Sequence, residues 1–83
     1  MGYKGDLEGF QNNAEFNQQW GETLRGIRNS KRVSIQELSN RTGLSVKTIT
    51  SIEHGKIAIT MNYLHIMAEG LGMQLLVDIS PKR

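Results

Sequence analysis

The sequence predicts a mainly α domain: a compact group of four to five short helices followed by one C-terminal β-strand. Three observations carry this. Apolar residues recur every three to four positions between Phe16 and Leu71, the spacing of a buried helix face. Short patterns open on Asn, Ser or Thr and close on Gly, the start and stop signals of helices only a few turns long. After Gly72 the apolar period falls to two, which marks a strand.

The 83 residues fit one domain. A domain of this size hides only about 60 % of the surface its unfolded chain exposes, so added stability from a partner subunit is expected. Residues 1–11 (MGYKGDLEGFQ) hold three glycines and no period, and read as a flexible arm. Residues 12–72 form the helical domain, and residues 73–83 a strand and tail.

In the first helix, Phe16, Trp20, Leu24 and Ile27 line up on one side, and Asn12 with Glu15 resembles a capping box. Gly21 and Gly26 either weaken this helix, with a break near Gly21, or mark close approaches. It ends around Asn29–Lys31. The next helix opens on Ser34-Ile35-Gln36-Glu37, an S-x-x-E box in which the serine accepts from the Glu37 amide and Glu37 reaches back. A cap of this kind stabilises by about 1 kcal/mol, which matters for a helix of two turns. Ile35, Leu38 and Thr42 share one side, and Gly43 supplies the left-handed residue that stops it.

Ser45 caps the third helix, with Ile49 and Ile52 facing inward, Val46 at the edge, and Gly55 as terminator. Thr60 caps the fourth, whose buried stripe is Leu64, Met67, Ala68 and Leu71, and Gly72 ends it. Met73, Leu75, Val77 and Ile79 then alternate with Gln74, Leu76, Asp78 and Ser80 until Pro81. A lone strand leaves its backbone groups unpaired. Its expected partner is the same strand of a second molecule, giving a two-fold homodimer interface. The other option is a tail packed along the helices without pairing.

Composition narrows the function. There is no cysteine, so neither a disulfide nor a thiolate metal site can form, and a cytoplasmic location is expected. No apolar run exceeds three residues, which predicts neither a membrane span nor a secretory signal. The carboxylates are scattered, no glycine-rich phosphate loop is present, and His54 and His65 lie on different elements without a third ligand. No enzyme, metal or cofactor is expected. Met61, Met67 and Met73 sit on apolar stripes and read as core.

Charge is the more telling feature. Residues 1–20 carry Lys4 against Asp6, Glu8 and Glu15, whereas residues 24–56 carry Arg25, Arg28, Lys31, Arg32, Arg41, Lys47 and Lys56 against Glu37 and Glu53. Positive charge therefore gathers around the two shortest helices, as a polyanion-binding surface requires.

Helix, glycine-containing turn, helix is the arrangement that sets a second helix in the DNA major groove. At residue level the segment from about Leu24 to Leu71 resembles the lambda repressor/Cro (XRE) helix-turn-helix family. The markers are Leu24-x-x-x-Arg28, Ser34-x-x-Glu37-Leu38-Ser39 and Thr42-Gly43-Leu44-Ser45, then Ile49-x-x-Ile52-Glu53-x-Gly55-Lys56 and Leu64-x-x-Met67-Ala68-x-x-Leu71. The resemblance implies a lambda-repressor-like fold that binds double-stranded DNA.

It implies roles as well. Ser45, Val46 and Lys47 would meet base edges, with Thr50 and Ser51 facing the same groove one turn later; plain exposed surface is the alternative for the last two. Lys47 suits guanine O6 or N7, and Val46 suits a thymine methyl. Phosphate contacts would come from the amide end of the Ser34 helix. There the family's usual Gln is replaced by Ile35, with Gln36 as an imperfect substitute. Arg41, Thr48, His54 and Lys56 are the other candidates, each open to being an ordinary solvated side chain. Arg28 and Glu53 would form a structural ion pair.

The tail, Gly72 to Asp78, is similar to HipB-like antitoxins. That likeness implies a dimer which represses its own operon and holds a HipA-like toxin protein. A stand-alone repressor of a prophage or mobile element, and a protein-interaction module without DNA specificity, are the competing expectations.

Overall fold

The computed structural model of the protein describes residues 14–76. Four helices follow one another: α1 (Ala14–Ser30), α2 (Ile35–Thr42), α3 (Val46–Glu53) and α4 (Met61–Gly70). Helix α1 packs on α3, while α2 packs on both α3 and α4. No strand occurs among the described residues.

The caps are where the sequence motifs place them. Ser34, Ser45 and Thr60 accept hydrogen bonds from the amides of Glu37, Thr48 and Tyr63, each at 3.0 Å. The S-x-x-E box closes only by half, because the Glu37 carboxylate accepts from Arg41 Nη2 at 2.7 Å along the exposed side of α2. All four helices end on a left-handed residue: Arg32 (φ 58°), Gly43 (80°), Gly55 (69°) and Gly72 (71°). Three of these ends close as paired Schellman turns. Val33 and Arg32 donate back to Arg28 and Asn29, Lys56 and Gly55 to Ser51 and Ile52, and Met73 and Gly72 to Ala68 and Glu69.

Eight-residue helices are marginal alone in water. Burial makes up the difference. Leu38, Ile49, Ile52 and Met67 are 0 % exposed, and Leu24, Val33, Leu64 and Leu71 complete the core. Full burial of one such side chain contributes about 1.5–3 kcal/mol, more than a cap supplies. Packing, with the caps as trim, therefore holds α2 and α3 in shape.

Helix α1 departs from its expected pattern in two ways. It runs through Gly21 without a break, and its innermost line is Asn17, Gly21, Leu24 and Arg28. Phe16, Trp20 and Ile27 flank that line and are only half-buried. A side chain at Gly21 would strike the carbonyl oxygen of Ile52 and lie 2.7 Å from that of Glu53, so the missing side chain is what lets α1 approach the end of α3. Asn12 of the anticipated capping box lies outside the described residues.

The expected strand is not seen where it can be checked. Met73 to Leu76 adopt neither helix nor strand, and Val77 and Ile79 lie outside the described residues. Among the described residues there is no second strand to complete a ladder. Instead Leu75 folds back against the core, where Met73 joins it along an apolar groove bordered by Trp20, Leu24 and Leu71; Leu76 is 78 % exposed.

The two interior glycines of α1 should behave oppositely. Gly21→Ala is expected to destabilise by about 1–3 kcal/mol, since backbone atoms cannot yield to it. Gly26, with nothing within 4 Å of an added Cβ, should gain about 0.5–1 kcal/mol on replacement by Ala. Urea unfolding of both variants checks this; a Gly21→Ala protein as stable as the parent would refute the close approach.

Candidate nucleic-acid interface

The turn between α2 and α3 is held from both sides. Ser39 Oγ donates to the Leu44 carbonyl at 2.6 Å, and the Leu44 amide donates to Thr42 Oγ1 at 3.1 Å. The same Thr42 hydroxyl donates to the Leu38 carbonyl at 2.8 Å, while the Leu44 side chain packs on the core. Little freedom remains for one helix to swing against the other.

With Ile49 and Ile52 buried, α3 turns its other side outward. Ser45 and Lys47 are exposed, Val46 is 39 % exposed, and Thr48, Thr50 and Ser51 are half-buried. Lys47 takes part in no ion pair among the described residues. The hydroxyls are partly committed. Ser45 Oγ donates to Thr48 Oγ1 at 2.9 Å besides accepting from the Thr48 amide, and Thr50 Oγ1 donates to the Val46 carbonyl at 2.8 Å. Thr50 thus offers an incoming ligand lone pairs, which suit a base amino group, with its proton already used.

The remaining candidates divide. Gln36 is exposed, its amide bridging to Asn40 Oδ1 at 3.2 Å. Arg41 uses two donors inside the chain, one on Glu37 and one on the Gly70 carbonyl at 3.1 Å, which ties α2 to the end of α4. His54 and Lys56 are exposed on the turn after α3. That turn is seated firmly, for an added Cβ at Gly55 would lie 2.7 Å from Gln18 Cα.

Behind this surface, Arg28 and Glu53 meet in a buried bidentate pair. Arg28 Nε donates to Glu53 Oε2 at 2.7 Å and Nη2 to Oε1 at 3.0 Å, while Nη1 donates to the Val33 carbonyl at 2.9 Å. The hydrogen bonds it donates to Glu53 hold the Arg28 pKa above its ordinary value, against the opposing effect of burial. Asn17, absent from the sequence-based candidates, is 7 % exposed and accepts from the Ile59 amide at 2.9 Å, fastening the loop after α3 to α1. A polar residue four before Gly21 on the inner line was the signal for it.

Among the described residues no group of three or more His, Cys, Asp or Glu could hold a metal ion. No helix there is long and apolar enough to cross a membrane.

A short capped helix, a pinned turn and a second helix with one exposed side define a helix-turn-helix protein. The comparisons agree. The helix-turn-helix family model matches residues 24–77, and the chain belongs to that family, of the XRE type, whose members are DNA-binding regulators of transcription. Among solved structures, the clp gene regulator ClgR from C. glutamicum superposes with a TM-score of 0.67 at 24 % identity. The match covers 71 % of this chain and 76 % of that one, and it shows a shared fold. No curated protein matches the chain in sequence.

Removing one partner of the buried pair should be costly. Glu53→Ala is expected to lose about 3–5 kcal/mol by leaving the Arg28 charge uncompensated, and Arg28→Met with Glu53→Leu should recover most of it. Denaturant melts of the single and double variants decide; equal losses in both would mean that the residues do not act as a pair.

Proposed function

We propose that the protein is a sequence-specific transcriptional repressor that binds a palindromic operator as a homodimer, with α3 as the reading helix. One observation carries this most directly: the first turn of α3 stands exposed, with Val46 and Lys47 on it and Lys47 in no ion pair among the described residues, while the same helix is anchored by two fully buried isoleucines. Lys47 and Val46 supply a donor and a methyl-sized apolar contact, with Ser45, Thr50 and Ser51 adding polar ones. Gln36, Thr48, His54 and Lys56 serve the phosphates on either side, joined by whatever donors Arg41 has left. Repression follows from occupancy of a promoter.

The homodimer reading is supported by apolar surface that one chain leaves open. Leu76 is 78 % exposed and Met73 42 % exposed on the tail beside the apolar groove. Two subunits joined there set their reading helices about one DNA turn apart, roughly 34 Å. The narrower role, antitoxin and autorepressor beside a HipA-like toxin, is carried only by the likeness of residues 72–78. A toxin gene directly adjacent would favour it, and a lone divergent operator would favour a stand-alone repressor.

Selection from a random duplex pool tests the reading. Recovery of a two-fold symmetric site, with Lys47→Ala changing its sequence preference more than its non-specific affinity, is the expected outcome. Equal losses on operator and random DNA would make Lys47 a phosphate contact, and sequence-blind binding throughout would end the repressor assignment. For the dimer, Leu76→Glu is a sharper probe than truncation, because Leu75 packs against the core. It should yield monomer by light scattering; a persistent dimer would exclude this tail as the interface.

A further inference from the structure

Arg32 occupies a backbone conformation that belongs to glycine. It is the one non-glycine residue with positive φ among those described, at 58°, and it closes α1 at the position that Gly43, Gly55 and Gly72 occupy on the other helices. A Cβ in the left-handed region crowds the following carbonyl, so any L residue here is less stable than Gly. Arg32 is exposed and makes no ion pair among the described residues, and the same holds for Lys31 beside it. Persistent strain at an exposed, chemically able residue is a reason to look for function.

Position and charge say which function. The Arg28 guanidinium grips the Val33 carbonyl with one arm and the Glu53 carboxylate with the others. The Lys31–Arg32 turn is therefore fixed beside the C-terminal end of α3, from which His54 and Lys56 emerge. The carboxylates between Lys31 and Lys56 are Glu37 and Glu53, and both are taken, by Arg41 and Arg28. Lys31, Arg32, His54 and Lys56 are all exposed, and none of them is in an ion pair with a carboxylate among the described residues.

We propose that Arg32, assisted by Lys31, is a further phosphate contact, one that extends the His54–Lys56 surface along a single DNA strand, and that its strained backbone is kept for that charge. The proposal rests on the DNA-binding reading above. The more stable protein should therefore be the weaker binder.

The experiment is a comparison of wild type, Arg32→Gly, Arg32→Lys and Arg32→Asn, each melted and titrated with operator and random duplexes over a salt series. Arg32→Gly should raise Tm by about 3–6 °C. It should weaken binding several-fold on both duplexes, with the salt slope falling by about 0.9 for each Arg32 lost. Arg32→Asn, which tolerates the left-handed region without a charge, should lose the same slope, and Arg32→Lys should keep it. Undiminished affinity and slope in Arg32→Gly and Arg32→Asn would overturn the contact. Absence of salt-dependent binding by the wild type would instead overturn the DNA-binding reading itself, so the two failures are distinguishable.

Discussion

One guanidinium organises this molecule. Arg28 reaches from the last turn of α1 to the last residue of α3 and to the backbone just before α2, and its planar fork satisfies all three demands at once. A buried ion pair is weak evidence of net stability, because desolvation consumes most of what the charges return. Its value here is geometric. The core residues are apolar and tolerate sliding, whereas a bidentate pair with a third bond to a carbonyl has one good arrangement. That arrangement sets the angle at which α3 is presented.

The close approach at Gly21 belongs to the same constraint. Glu53 can meet Arg28 only because α1 lies almost against the carbonyls of Ile52 and Glu53, and only a residue without a side chain permits that distance. Asn17 repeats the device one turn earlier by holding the Ile59 amide. Along its inner line, α1 therefore trades apolar contact for backbone proximity and hydrogen bonds. It acts as a rail along which α3 and the loop after it are fixed.

Such rigidity suits recognition. A helix of eight residues has too few hydrogen bonds to keep its own shape, let alone its direction. The buried side of α3 and the pinned turn supply both, which leaves the opposite side free to be chosen for contact with a ligand. The helix ends show the same division between structure and surface: three close on glycine at little cost, and the fourth carries an arginine that structure alone would not select.

Much of this was legible in the residues. The four helices of the described residues, the serine and threonine caps, the glycine stops and the inward positions of α2, α3 and α4 all follow from local rules, because capping and amphipathic spacing act within a few residues. The marker spacing from Leu24 to Leu71 also pointed to the helix-turn-helix family. Other features needed the third dimension. The inner line of α1 runs through Asn17, Gly21 and Arg28, none of which an apolar-periodicity rule selects, since their burial depends on partners 25 to 42 positions away. Glu37 turned to Arg41 instead of completing its box, and Met73 and Leu75 line the core groove instead of a ladder, because a strand needs a neighbour and none is found among the described residues. The sequence by itself determined the elements and their buried sides, through interactions between near neighbours. Which polar groups meet and how closely α1 lies on α3 were decided only by tertiary packing, because those distances join residues that the chain keeps far apart.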